Sequence, residues 1–138
     1  MLSKEELATF LSREFPQTKC TVDAVGNRSA TVRHAIGFDE LRPGGTVSGP
    51  VLMTVGDVAL YVAILGEIGM EPMTVTTNLT INFLRKPSAE AEIVGIARLL
   101  RVGRTLIVGE ATLYSEDDPE PVAHVVGTYA VPRSNRPR

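Results

Sequence analysis

Gly44 to Gly69, GGTVSGPVLMTVGDVALYVAILGEIG, is a glycine-rich loop running into a helix that is apolar on every side, with Asp57 the one charge between Pro50 and Gly66. A helix without a polar face suits no contact with water and has to be buried. A carboxylate in the middle of it costs free energy unless a neighbour satisfies it or chemistry uses it. On the same helix Thr54 and Tyr61, at i−3 and i+4, are the near candidates to satisfy Asp57. Ser48, two residues before Pro50, is the expected N-cap; Gly66 and Gly69 bracket the far end and Pro72 prevents continuation. Pro50 to Leu65 is about 16 residues, short of the roughly 20 that a bilayer requires, so the helix is expected inside a domain and not in a membrane.

Before this helix, Ser3 can cap a first helix over about residues 3–15, with Glu5 and Glu6 at its positive end and Leu2, Leu7, Phe10 and Leu11 as an apolar stripe. Cys20 to Val25 and Ser29 to Ile36 alternate around Gly26-Asn27, a pair suited to positive φ, which predicts a hairpin. After the buried helix, Thr74 to Leu84 alternates strictly, with Val75, Thr77, Leu79, Ile81 and Phe83 on one face and Thr74, Thr76, Asn78, Thr80 and Asn82 on the other. Three further strands, Ala91 to Arg101, Thr105 to Tyr114 and Val122 to Val131, are joined by short turns and imply an antiparallel meander. One all-apolar helix among long strands requires a sheet that curls around it. The whole chain, residues 1–138, is expected to be a single domain ending in a loose basic tail over 132–138.

Composition excludes several classes. The net charge of -2 does not point to nucleic acid, and the 43% hydrophobic and 22% charged residues are those of a soluble globular protein. Cys20 is the only cysteine, which leaves no disulfide framework or multi-cysteine metal site and fits a reducing cytoplasm. No His adjoins Cys20 in sequence, so it reads as a small buried hydrophobe. His34 and His124 read as strand residues. The N-terminus lacks the apolar run of a signal peptide.

Gly45-Thr46-Val47-Ser48-Gly49 leading into the helix with Asp57, Val75-Thr76 leading to Ile81-Asn82-Phe83-Leu84-Arg85, and Arg101-Val102-Gly103-Arg104 between strands resemble the PaaI-like hotdog-fold acyl-CoA thioesterases, over roughly residues 37–131. The resemblance implies an α+β hotdog fold, a curved antiparallel β-sheet wrapped around a central buried α-helix. It also implies hydrolysis of an acyl-CoA to free acid and CoA by a homodimer or dimer of dimers, with sites at the subunit interface. Coenzyme A enters as part of the substrate, with no separate cofactor or metal. By the same resemblance Asp57 is the general base or nucleophile, the Gly49 N–H is the oxyanion donor, and Thr76, from the neighbouring subunit, orients the water or the acid. Thr77, one residue on, is the alternative should the strand register differ. Where the family has a His and, six residues earlier, an Asn, this chain has Ser48 and Arg42. Ser48 can keep a hydrogen-bonding role near the carbonyl, and Arg42 can pair with Asp57 or a substrate carboxylate. Arg85, Lys86, Arg101 and Arg104 are the candidates for the CoA phosphates. The alternative reading is a non-catalytic hotdog protein that binds acyl-CoA or another small ligand.

Overall fold

The computed structural model describes residues 2–132, so the tail expected over 132–138 lies, from residue 133 on, outside the described residues. Helix α1 (Lys4–Glu14) begins with a capping box: Ser3 Oγ accepts from the Glu6 N–H at 3.1 Å, and Glu6 Oε1 accepts from the Ser3 N–H at 2.9 Å. Its stripe of Leu7, Phe10 and Leu11 is buried. Strands β1 (Cys20–Gly26) and β2 (Ser29–His34) form the predicted hairpin. Its turn is one residue later than expected. Gly26 pairs with Ser29, the loop is Asn27-Arg28, and Arg28 holds the positive φ, at 54°.

The polar loop that follows is more ordered than its composition suggests. A 3-10 turn (Phe38–Glu40) leads into a two-residue ladder between β3 (Leu41–Arg42) and β4 (Thr46–Val47), and Gly44 and Gly45, both at positive φ, make the turn between them. Ser48 then occupies the N-cap of α2 (Gly49–Ile68), although its side chain makes no capping bond. At 20 residues α2 is longer than the sequence reading allowed, and by length and composition it could cross a membrane. Burial decides against that: Leu52, Val55, Val58, Leu60, Ile64 and Leu65 are among its residues enclosed by the rest of the chain.

The enclosing layer is a six-stranded antiparallel sheet in the order β1-β2-β6-β7-β8-β5, with β5 (Val75–Phe83), β6 (Ile93–Val102), β7 (Leu106–Ser115) and β8 (Ala123–Ala130). The meander β6-β7-β8 appears as expected, and β5 closes against β8. Helix and sheet approach closely where glycines stand. A Cβ on Gly56 would lie 2.7 Å from Val125 Cγ2, and one on Gly109 would lie 2.7 Å from Leu60 Cδ2, so larger residues would push the two layers apart. This is the hotdog arrangement: one buried helix held in a curved antiparallel sheet.

Candidate active site

Asp57 is half-buried, and its partners are not Thr54 or Tyr61. Thr54 Oγ1 donates back to the Pro50 carbonyl at 3.0 Å and Tyr61 OH to the Pro72 carbonyl at 3.3 Å. Asp57 Oδ1 instead accepts two hydroxyls, from Tyr129 OH at 2.6 Å and from Thr76 Oγ1 at 2.9 Å. Hydrogen bonds to a charged group contribute about 1.5–3 kcal/mol each. Tyr129 is 1% exposed. Burial first, and then the adjoining Asp57 charge, push its phenol far above the ordinary tyrosine value, so the hydroxyl remains a donor. Oδ2 has no protein partner among the described residues.

Thr76 reaches Asp57 from the same chain, and not from a neighbouring subunit. The reason is a bulge. The pairing of β5 with β8 shifts between Thr76 and Asn78, leaving Thr77 as the extra residue. Thr76 therefore sits opposite Tyr129 while Leu79 sits opposite Gly127 and Ile81 opposite Val125, on the side facing the helix. Strict alternation would have placed Thr77 there, and the bulge re-aims the strand by one residue. Thr77 Oγ1 is spent on the Thr128 carbonyl, at 3.1 Å.

Asp57 and Thr76 stand on the wall of a cleft of about 390 Å³ between α1, α2 and the start of β5, with Phe10, Phe15, Val58 and Tyr61 as its apolar lining. Tyr129, which nothing in the sequence singles out, lines it too. An aromatic in a strand reads as packing; only the cross-strand register marks this one out.

Gly49 is elsewhere. It opens α2, its N–H has no acceptor among the described residues, and Pro50 supplies no N–H of its own. A Cβ at Gly49 would lie 3.1 Å from Phe83 Cζ, so the end of β5 covers this end of the helix. Eight residues of helix separate Gly49 from Asp57, roughly 12 Å along the axis. In one chain the N–H and the carboxylate cannot meet on a single carbonyl. Ser48 lies beside Gly49, and Arg42 is exposed on β3, next to neither Asp57 nor any carboxylate that pairs with it among the described residues.

The four cations also divide. Arg85 and Lys86 follow β5 at the Phe83 end, where Arg85 Nη1 meets Asp118 Oδ2 at 3.2 Å. Arg101 and Arg104 flank the β6–β7 turn, at the end of the sheet where β5 starts, because Val102 pairs with Ile107 and Leu106 with Ala130. His124 Nε2 lies 3.0 Å from Glu110 Oε1, away from Asp57 in the ladder.

The profile of the thioesterase superfamily matches residues 44–122. Among solved structures, a candidate thioesterase from Silicibacter sp. TM1040 is similar at 40% identity, over 96% of this chain and 93% of that one, with a TM-score of 0.88. A conserved protein of Pseudomonas aeruginosa is 28% identical over 92% and 98% of the two chains, at a TM-score of 0.79. The PaaI protein of the E. coli phenylacetic acid degradation operon shares the fold, at 17% identity, 94% of each chain and a TM-score of 0.80. No curated protein matches the chain.

Proposed function

The chain belongs to the thioesterase superfamily and is a thioester hydrolase, and from that premise we propose that it hydrolyses acyl-CoA at a site completed by a second copy of itself. The observation that carries the proposal is Asp57 Oδ1 held by two hydroxyls on the wall of an apolar cleft, with Oδ2 left for chemistry. Oδ2 takes the proton of a water attacking the thioester carbonyl carbon, or itself attacks that carbon to form an acyl anhydride that water then hydrolyses to free acid and carboxylate; both roles use a carboxylate in this orientation. The oxyanion that forms needs a donor, and a helix N-terminus with a free N–H suits it. Collapse expels the CoA sulfur as a thiolate, which takes a proton. The proton held on Asp57 can supply it when water is the nucleophile.

Strand β5 supports the second copy. It is an edge strand of nine residues without a charge or proline, and Val75 and Phe83 in it and Leu84 just after it are more than half exposed. Unprotected edges of this kind are templates for pairing. Two β5 strands paired antiparallel about a two-fold axis bring the Phe83 end of one chain to the Thr76 end of the other. Gly49 of the partner subunit then approaches Asp57, and the Arg85–Lys86 end comes to the same end of the joined sheet as Arg101 and Arg104, with Arg101 on β6 four strands or roughly 19 Å to the side. These four cations are the proposed contacts for the CoA phosphates, and the cleft under α1 takes the acyl group. Its volume lies at the small end of the range of about 300–1,000 Å³ for small-molecule pockets, which favours a short acyl or aryl group. The free, buried Cys20 fits a reducing compartment, and we assign the protein to the cytoplasm.

An acyl-CoA panel with free-thiol detection tests the reading. Asp57→Asn and Asp57→Ala are expected to lose about 10³-fold in kcat. Ser48 and Arg42 in the loop before α2 favour the second reading, a binding protein. It wins if no acyl-CoA is turned over while CoA or acyl-CoA still binds.

A further inference from the structure

Cys20 and His34 face each other across the β1–β2 hairpin as register partners, with Sγ 3.7 Å from Nδ1. His34 is 4% exposed, and its Nε2 lies 2.6 Å from Oε2 of Glu40 in the 3-10 turn. Burial pushes the Cys20 thiol up to about 11, so at neutral pH it keeps its proton and is no nucleophile. An S–H donated to Nδ1 fixes the imidazole proton on Nε2, from which it is donated to Glu40. The other carboxylate oxygen, Oε1, accepts the Gly37 N–H at 2.7 Å and lies 3.4 Å from Lys19 Nζ. Burial works to raise the Glu40 carboxyl, but the Gly37 N–H and His34 outweigh it and hold it below the ordinary range.

The backbone of Glu40 extends this network to the helix. Its N–H donates to the Gly37 carbonyl at 2.9 Å, and its carbonyl accepts the Ser48 N–H at 3.0 Å. Ser48 leads directly into Gly49, and its side chain does not cap the helix, so the Glu40 carbonyl is a backbone contact that holds this corner to the 3-10 turn and, through His34, to β2. We propose that His34 and Glu40 are positioning residues for the oxyanion donor: the Glu40 carbonyl fixes the Val47–Ser48 peptide, and so the start of the Ser48–Gly49 peptide whose N–H is the donor; this rests on the role given to Gly49 above. Neither residue touches the substrate. They act by setting where one N–H points, and a misplacement on the scale of an ångström is costly to catalysis.

Glu40→Gln keeps an acceptor for the Gly37 N–H and removes the charge that His34 and Lys19 meet. The expected result is a fall in kcat of about tenfold with KM within about twofold, since a donor used only in the transition state acts on kcat. His34→Gln, with an amide N–H in place of the Nε2–H, is expected to recover most of the kcat lost in His34→Leu. The decisive readout is a cycle with Gly49→Pro, which removes the donor at a helix position where proline is tolerated. In that background Glu40→Gln is expected to change kcat by less than about twofold. The proposal is overturned if Glu40→Gln, folded by circular dichroism, keeps the parent's kcat, or if it costs the same factor with and without the Gly49 N–H. Should Glu40→Gln not fold, Lys19→Met at its half-exposed position carries the same cycle, with a loss of about threefold in the parent and none beside Gly49→Pro; equal losses in both would overturn the proposal. Full activity in Asp57→Asn would instead strike the reading of the site itself.

Discussion

β1 and β5 are the two edges of one sheet, and they are finished in opposite ways. β1 packs against α1, and along it Asp23 pairs with Arg33 Nε at 3.4 Å, with a bulge between Val22 and Ala24. β5 carries no charge and no covering helix, and its one irregularity, at Thr77, turns a hydroxyl inward onto Asp57. Charges, bulges and covering elements are how sheets prevent further pairing. An edge that lacks the first and the last is built to be paired, and here it also runs between the two half-sites, Gly49 beside its end and Asp57 beside its start.

The largest effect is expected from closing the open edge. Thr80→Glu sets two like charges near the proposed axis and should yield monomers by light scattering, with kcat/KM down about 10³-fold although Asp57, Thr76 and Tyr129 are untouched. The matching change on the closed edge, Thr21→Glu, should alter neither assembly nor rate. Next, Gly49→Pro should lower kcat by about 10²-fold without dissociating the dimer. Tyr129→Phe, which takes one of two hydroxyls from Oδ1, should lower kcat by about tenfold and leave KM in place; an unchanged kcat would remove Tyr129 from the site.

The smallest effect is on stability. Because the folded Glu40 carboxyl lies below its ordinary value of 4.5, its charged form stabilises the fold above that pH, and the contribution is lost as pH falls through the depressed value. Glu40→Gln should therefore melt below the parent at pH 7, with the gap closing under pH 4.5; a gap independent of pH would contradict this.

The buried helix, its acid, the hairpin, the meander and the curled sheet were legible in the sequence, because an apolar run with one charge and a set of alternating strands have few other arrangements; the pairing of β2 with β6 and of β5 with β8 was not. Gly49 was legible as a helix start and Asp57 as a residue needing partners. What could not be read was register. Alternation from Val75 to Phe83 put Thr77 with Leu79 and Ile81, and one unpaired residue in the strand moves Thr76 there instead. Tyr129 depends on the same pairing, and so does the meeting of Cys20 with His34, fourteen residues apart in the chain. The assignment of Thr76 to the neighbouring subunit changed with it: the acid and its hydroxyls come from one chain, and the donor is the part that one chain cannot bring.

That division is tested most directly by mixing two inactive proteins. Asp57→Asn lacks the acid and Gly49→Pro lacks the donor, so subunit exchange between them creates mixed dimers in which one site has lost both groups and the other has lost neither. The account predicts recovery to about a quarter of the parent's acyl-CoA hydrolysis at equal mixing, since half the dimers are mixed and each has one intact site. Exchange shown by mass spectrometry without any recovery of hydrolysis would contradict it.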